Sequence, residues 1–179
     1  MIIGLSGKIG CGKSTVAHQL AQFLSIPVQS FGYAVKEETS DYFGFQIAHT
    51  FTQTGKLKLI DTPRVMEHFG RPMQVRELLQ WYGTDFRRAE NPNYWTDKLL
   101  DCGNCIIDDV RFPNEAHFVL EHGYLFRIEH FEECSCDHES ECALDNWKAW
   151  SSKPYRPAKG KLPYVTLDIL NYLGFAGKL

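Results

Sequence analysis

The chain contains no apolar run near the roughly 18 residues that a bilayer-spanning helix needs, and "MIIGLSGKIG" at its start shows neither a basic leader nor a cleavage site. A cytoplasmic protein without a membrane partner is the expectation, in the host cytoplasm if the chain is viral. An excess of positive charge is also lacking. A formal net charge of −3 argues against a general basic surface for nucleic acid, so phosphate ligands are to be sought at specific residues. The sequence has no internal repeat and no low-complexity segment, and 44% apolar with 23% charged residues excludes the disordered and collagen-like classes. Six cysteines in 179 residues, in an intracellular setting, read as thiols or metal ligands and not as a disulfide framework. A chain of this length fits one domain with a single sizeable core.

What is present begins with a loop. "MIIGLS" is a short apolar run, and "KSTVAHQLAQFLS" carries Val16, Ala17, Leu20, Phe23 and Leu24 at helical spacing. Between them, Gly7-Lys8-Ile9-Gly10-Cys11-Gly12-Lys13-Ser14 satisfies G-x-x-x-x-G-K-[ST] in the strand-to-helix setting that the motif requires. Its glycines let backbone N–H groups turn onto phosphate oxygens, and the new helix adds its positive end. Residues Lys8, Ile9, Gly10, Cys11, Gly12, Lys13, Ser14 and Thr15 are therefore the ATP-binding set, with Lys13 reaching the β and γ phosphates and the Ser14 hydroxyl holding Mg²⁺. The loop is silent on the second substrate, because kinases, ATPases and GTPases share it.

"NCIIDDVRF" reads as a buried parallel strand ending in two aspartates, "NEAHFVLEHG" as a helix closed by Gly123, and "YLFRIEHF" as a further strand. Such alternation gives a parallel sheet whose ligands gather at the strands' carboxyl ends, which brings Asp108 and Asp109 beside the phosphate loop. There Asp109 is the candidate for Mg²⁺, and Arg111 presents its basic, cationic side chain toward the same phosphates. "QSFGYAVKEETSDYFGF" offers a helix from near Tyr33 with Lys36 near its start. A last helix is expected in "YVTLDILNYLGF", after the loop-like "SSKPYRPAKGKLP".

The stretch "RELLQWYGTDFRRAENPNYW" is dense in rings and guanidinium groups. At helical spacing Val75, Leu78, Leu79 and Tyr82 line one side, while Arg76, Gln80 and Gly83 share another. Gln80 can both donate and accept toward a base edge, and Arg88 can grip a phosphate with two parallel hydrogen bonds. Trp81, Tyr82 and Trp95 are either base-stacking rings or core.

Five segments, in order, resemble the deoxynucleoside monophosphate kinases of tailed bacteriophages, a branch of the P-loop nucleoside monophosphate kinases. They are the phosphate loop, "FGYAVKEETSDYFGF", "RELLQWYGTDFRRAENPNYW", "IIDDVRFPNEA" and "DHESECALDN". The resemblance implies an α/β three-layer sandwich with a central parallel sheet. It also implies a single P-loop kinase domain over 1–179, with a helical monophosphate-binding region over about 31–98 and a short lid-like segment over about 130–162. The implied activity is transfer of the ATP γ-phosphate to a deoxynucleoside monophosphate with Mg²⁺, with ATP and the monophosphate as the partners. Matching positions place Lys36, Arg76, Gln80, Gly83, Thr84, Asp85, Arg88, Trp95 and Arg111 on the monophosphate side. Lys13, Arg88, Asp109 and Arg111 are implied in catalysis, and Ser14 and Asp109 at the metal. His138, Ser140 and Glu141 match a His-x-Ser-Glu motif of the lid.

One departure concerns charge. "EHFEECSCDHESE" carries six acids and no lysine or arginine, so the lid's positive charge must come from Arg111, Arg127 or the tract with Lys153, Arg156, Lys159 and Lys161. Two readings stay open for its cysteines: free thiols, or a zinc site of Cys134, Cys136, His138 and Cys142. Cys102 and Cys105 read as structural. Two alternatives also remain for the whole chain: a P-loop kinase of another small acceptor such as dephospho-coenzyme A, and a nucleotide-driven ATPase or switch module.

Overall fold

Strand β1 (Ile2–Ser6) is buried along its whole length, because it runs through the middle of a four-stranded parallel sheet of order β2-β5-β1-β6. Its neighbours are β5 (Cys105–Val110) and β6 (Gly123–Arg127), and β2 (Val28–Gln29) completes the sheet beyond β5. This is a computed structural model, and it describes residues 1–129 and 142–175. Two compact units divide the chain, one from Met1–Ser30 with Leu100–Leu179 and the other from Phe31–Leu99.

The first unit holds the sheet. Side chains alternate along a strand, so Ile3 and Leu5 point to one face, where they join Val16, Ala17 and Leu20 of α1 (Lys13–Leu24) and Val165, Ile169 and Leu170 of α8 (Leu162–Tyr172). On the other face α7 (Pro113–His122) packs so near β1 that a Cβ on Gly4 would stand 2.7 Å from the Val119 side chain. Helices on both faces of a central parallel sheet make the expected three-layer α/β sandwich. Helix α7 starts at Pro113, where the missing N–H costs nothing, and the Glu115 carboxylate accepts from the N–H groups of Arg111 at 2.7 Å and Phe112 at 3.0 Å. Gly123 does close α7, and it also opens β6 with no intervening loop.

The second unit contains α2 (Phe31–Phe43), a 3-10 turn at Ile47–Thr50, α3 (Gln53–Lys56) and α4 (Pro63–Phe69), the last enclosed by an antiparallel pair, β3 (Leu59–Ile60) and β4 (Met73–Gln74). Helix α2 begins two residues before Tyr33, where the sequence placed its start. Then α5 (Val75–Gln80) continues without a break into a π-helical stretch, Trp81–Arg88, and α6 (Tyr94–Asp97) follows. Val75, Leu78 and Tyr82 are buried as their spacing predicts, while Arg76 and Gln80 are exposed. Gly83 departs from that exposed row: it is buried, and a Cβ there would lie 3.1 Å from Val35 of α2. The reason is the wider turn of the π stretch, which closes i→i+5 hydrogen bonds and leaves Thr84 and Asp85 as the exposed successors of Gln80.

Candidate active site

The phosphate loop joins β1 to α1. Gly12 caps α1 in the left-handed region at φ 96°, and Gly7 passes so close to the next strand's end that a Cβ would stand 2.1 Å from the Ile128 carbonyl oxygen. Only glycine fits either place. Lys13 is buried, and its ammonium donates to the carbonyls of Gly7 at 2.6 Å and Lys8 at 2.8 Å, with the Cys11 sulfur at 3.6 Å. The cation is thus held within the loop whose amides would meet a phosphate. Ile9, Gly10, Ser14 and Thr15 are exposed around it, and Cys11 is buried filler.

The two aspartates of β5 serve different hydroxyls, because consecutive strand residues face opposite ways. Asp108 accepts from the Ser14 hydroxyl at 2.7 Å. Asp109 accepts from Ser30, at the end of β2, at 2.8 Å. The carboxylate beside the phosphate-loop serine is therefore Asp108, one residue before the sequence-derived metal candidate. Two hard oxygen donors in contact suit Mg²⁺, which takes carboxylate and hydroxyl oxygens. Arg111 lies just past β5, half-buried, with its backbone N–H on Glu115.

A second polar cluster sits at the loop. Arg127, only 8% exposed, donates to Asp145 at 2.8 Å and to Ser6 at 3.3 Å, and lies over the Trp150 ring at 5.6 Å. The other oxygen of Asp145 pairs with the Lys8 ammonium at 3.4 Å. Asp145 so ties the loop to β6, a role that the quoted "DHESECALDN" contained without revealing. Arg156 is paired with Glu129 at 2.7 Å. His138, Ser140 and Glu141 of the lid motif, and Cys134, Cys136 and His138 of the zinc reading, fall outside the described residues. Among the described residues no group of three or more His, Cys, Asp or Glu is placed to hold a metal ion.

In the second unit Arg76, Gln80, Thr84 and Asp85 are exposed, and Arg88 is half-buried. Its neighbour Arg87 has a different fate. Its guanidinium lies about 5 Å from the rings of Tyr82, Phe86 and Tyr94 and donates to the Tyr82 hydroxyl at 2.8 Å. Glu38 of α2 anchors the same cluster, accepting from Tyr94 at 2.8 Å and pairing with Lys98 at 2.7 Å. Burial raises both tyrosines above their ordinary value, and in Tyr94 the hydrogen bond to Glu38 adds to it. The phenols therefore stay neutral donors. Trp95, 1% exposed, is a core pillar whose indole N–H donates to the Gly83 carbonyl at 3.0 Å, so it acts on the π stretch and not as an open stacking surface. Lys36 is half-buried with its ammonium 5.0 Å from the Phe51 ring. Sequence reasoning missed Glu38 and Asp145, since no local pattern marks a carboxylate whose partners are 44 or more and 18 or more residues away.

A parallel sheet between helices, a phosphate loop closing onto a buried lysine, and a serine–aspartate pair beside it define a P-loop nucleotide-binding protein. No protein-family model matches the chain. A protein of Acanthamoeba polyphaga mimivirus, "Putative deoxynucleotide monophosphate kinase", is 30% identical over 171 residues, covering 84% of this chain and 85% of that one. The chain belongs to this deoxynucleotide monophosphate kinase family and is a nucleotide-binding phosphotransferase. Shikimate kinase from Aquifex aeolicus vf5 shares the fold, with a TM-score of 0.53 over 99% of this chain and 98% of that one at 17% identity. No helix among the described residues is long and apolar enough to cross a membrane.

Proposed function

We propose that the protein transfers the γ-phosphate of ATP to a deoxynucleoside monophosphate, yielding the diphosphate for DNA precursor synthesis. The observation that carries the reading is the Ser14–Asp108 contact of 2.7 Å beside the internally held Lys13, a charge arrangement suited to phosphoryl transfer. The relative's name supports the deoxynucleotide acceptor. Within a single kinase domain, the unit Phe31–Leu99 is read as the monophosphate-binding region, with Lys36, Arg76, Gln80, Thr84, Asp85 and Arg88 as its ligands. Gly83 and Trp95 contribute by shaping the π stretch. In this reading the lid runs through about 130–162, with His138, Ser140 and Glu141 at its motif.

Lys13 exchanges its loop carbonyls for β- and γ-phosphate oxygens, and the amides of residues 8 to 15 hold the triphosphate. Ser14 and Asp108 would hold Mg²⁺, with Asp109 as a second carboxylate on the same strand end, and the ion would supply positive charge against the triphosphate. Arg88 and Arg111 stabilise charge on the acceptor and the transferred group. The acceptor phosphate is already anionic at neutral pH, so no general base is required, and positioning with charge stabilisation supplies the rate.

The test is an acceptor panel. With ATP and Mg²⁺, purified protein is expected to form diphosphate from at least one common deoxynucleoside monophosphate and not from shikimate or dephospho-coenzyme A. Absence of any nucleoside diphosphate across the ribo- and deoxynucleotide panel sinks the reading. Arg88→Ala should raise the acceptor KM or lower kcat while largely sparing ATP binding; an unchanged acceptor profile removes Arg88 from the site.

A further inference from the structure

Arg127 is among the cations that sequence reasoning offers to the transferred phosphate, and its place in the fold assigns it another task. It is only 8% exposed and stands at the end of β6, directly across from Ser6, its register partner on β1. Its guanidinium donates to the Ser6 hydroxyl at 3.3 Å and to one oxygen of Asp145 at 2.8 Å. The second oxygen of Asp145 meets the Lys8 ammonium at 3.4 Å. Ser6 and Lys8 are the two neighbours of Gly7 in the chain. One arginine and one aspartate therefore grip the backbone on both sides of the residue at which the phosphate loop begins.

The turn held in this way also holds the buried lysine, because the carbonyls that accept from the Lys13 ammonium are those of Gly7 and Lys8. A shift of the turn would move Lys13 and the neighbouring amides together. The carboxylate reaches the loop on a segment pinned along β6. Leu144, just before Asp145, is 2% exposed. Further on, the Ser151 N–H donates to the Leu125 carbonyl at 2.9 Å, its hydroxyl accepts from the Leu125 N–H at 2.8 Å, and the Tyr155 N–H donates to the Arg127 carbonyl at 2.9 Å. A carboxylate on so fixed a support positions what it touches.

We propose that Asp145 and Arg127 are positioning residues for triphosphate binding, a clamp that keeps the Ser6–Lys8 turn in the shape that receives the phosphates. The inference rests on the phosphate loop being the ATP site in the function proposed above, and it is independent of the acceptor. Charge alone predicts the opposite of what the clamp predicts. A carboxylate beside the loop repels a triphosphate, so on electrostatic grounds binding tightens when Asp145 is neutralised. If the carboxylate shapes the loop, neutralising it loosens the turn and binding weakens. Arg127 and Lys8 are two cations against one anion, so the cluster stays positive and the clamp imposes no net repulsion on the nucleotide.

The experiment is an equilibrium titration with MgATP, without acceptor, on wild type, Asp145→Asn, Lys8→Gln, these two combined, and Arg127→Lys, beside steady-state kinetics and thermal melts. Asp145→Asn should weaken MgATP binding roughly 10-fold, a size ordinary for coupling within one hydrogen-bonded network, and raise the ATP KM while the acceptor KM holds. In the Lys8→Gln background the same substitution should add no more than about 2-fold, because Asp145 reaches the loop through Lys8. Arg127→Lys keeps the charge but loses the two-pronged reach to Asp145 and Ser6, and it should weaken MgATP in the same direction. Asp145→Asn binding MgATP as tightly as wild type, or more tightly, overturns the clamp. Full additivity of the Asp145 and Lys8 effects overturns it too, since that is the behaviour of a general loss of structure. Should Asp145→Asn not fold, Lys8→Gln, whose side chain is 25% exposed, decides alone, and an unchanged MgATP affinity in it overturns the proposal. A wild type that binds no MgATP overturns the clamp together with the phosphate-loop reading, whereas failure across the acceptor panel with MgATP binding intact sinks the acceptor reading alone.

Discussion

Cys105 opens β5 with no exposed surface, and its thiol is pushed up to about 12, by burial first and then by the adjacent Cys102 thiol. A protonated buried thiol is a poor nucleophile. Iodoacetamide at pH 7.5 should therefore label Cys102 in the native protein and leave Cys105 intact until denaturant is added; equal labelling of both would contradict the burial. At β5's other end, Asp108 and Asp109 illustrate a limit of sequence reading. Asp108 meets the phosphate-loop residue Ser14 while Asp109 meets Ser30, and which one faces Ser14 depends on the phase of a strand whose two faces are both apolar, a phase of which the sequence carries no mark. Substitution separates them: Asp108→Asn should lower kcat by about 10²-fold, on the order of one lost charge-stabilising group. Asp109→Asn, whose carboxylate meets Ser30, should disturb the Mg²⁺ dependence less. The reverse order would favour Asp109 as the metal ligand. Arg88 is the phosphate ligand that the sequence reading named, and its neighbour Arg87, which that reading passed over, is held among the rings of Tyr82, Phe86 and Tyr94.

At the scale of elements, the strand–loop–helix of the phosphate loop was legible because all of its determinants are local. The π stretch was not. Its apolar residues keep an α-like spacing as far as Tyr82, and its departure is maintained from elsewhere, by Val35 against Gly83 and by the Trp95 indole on the Gly83 carbonyl. Trp95→Phe keeps most of the ring and removes that donor, so it should cost about 1–3 kcal/mol in denaturant melts and raise the acceptor KM with little effect on ATP. A change in stability alone would confine Trp95 to packing. The start of α5 is held by Glu77, whose carboxylate accepts from the Gln74 N–H at 2.7 Å and meets Arg71 at 3.2 Å. Those bonds, the backbone one first, hold Glu77 below its ordinary value of 4.5. A carboxyl group with a depressed folded pKa adds stability above its unfolded pKa and loses it as pH falls through the folded one. More than a third of the side chain is exposed, so solvent screening keeps the effect near ~0.5 kcal/mol. Glu77→Gln should lower the melting temperature slightly at pH 7 and show a smaller drop than wild type between pH 5 and pH 3.

For the molecule as a whole, the parallel sheet followed from alternating strand and helix patterns and the three-layer sandwich from the family resemblance, and the second unit's interior followed from neither. Its aromatic residues come from α2, α4, the π stretch and α6, and apart from Tyr82 nothing in their spacing foretells which rings are core. Tyr82 and Trp95 are buried, whereas Phe51 is held out on a loop of packed neighbours. Ligand linkage gives a global check. A nucleotide present at 100 times its Kd adds about 2.7 kcal/mol to the stability of whatever binds it, so ATP with Mg²⁺ should raise the melting temperature by several degrees in wild type and by much less in Lys13→Ala. An equal rise in both would exclude Lys13 from triphosphate binding.

The chain leaves the sheet-bearing unit once, after Ser30, and re-enters it once, at Leu100. Everything from α2 to α6 is therefore a single cassette spliced between β2 and β5, and neither the phosphate loop nor any strand of the parallel sheet is interrupted by it. If, as proposed, that cassette binds the acceptor, insertions and exchanges within it would alter what receives the phosphate while the phosphate loop keeps its sequence, and the two halves of the reaction would be free to evolve at different rates.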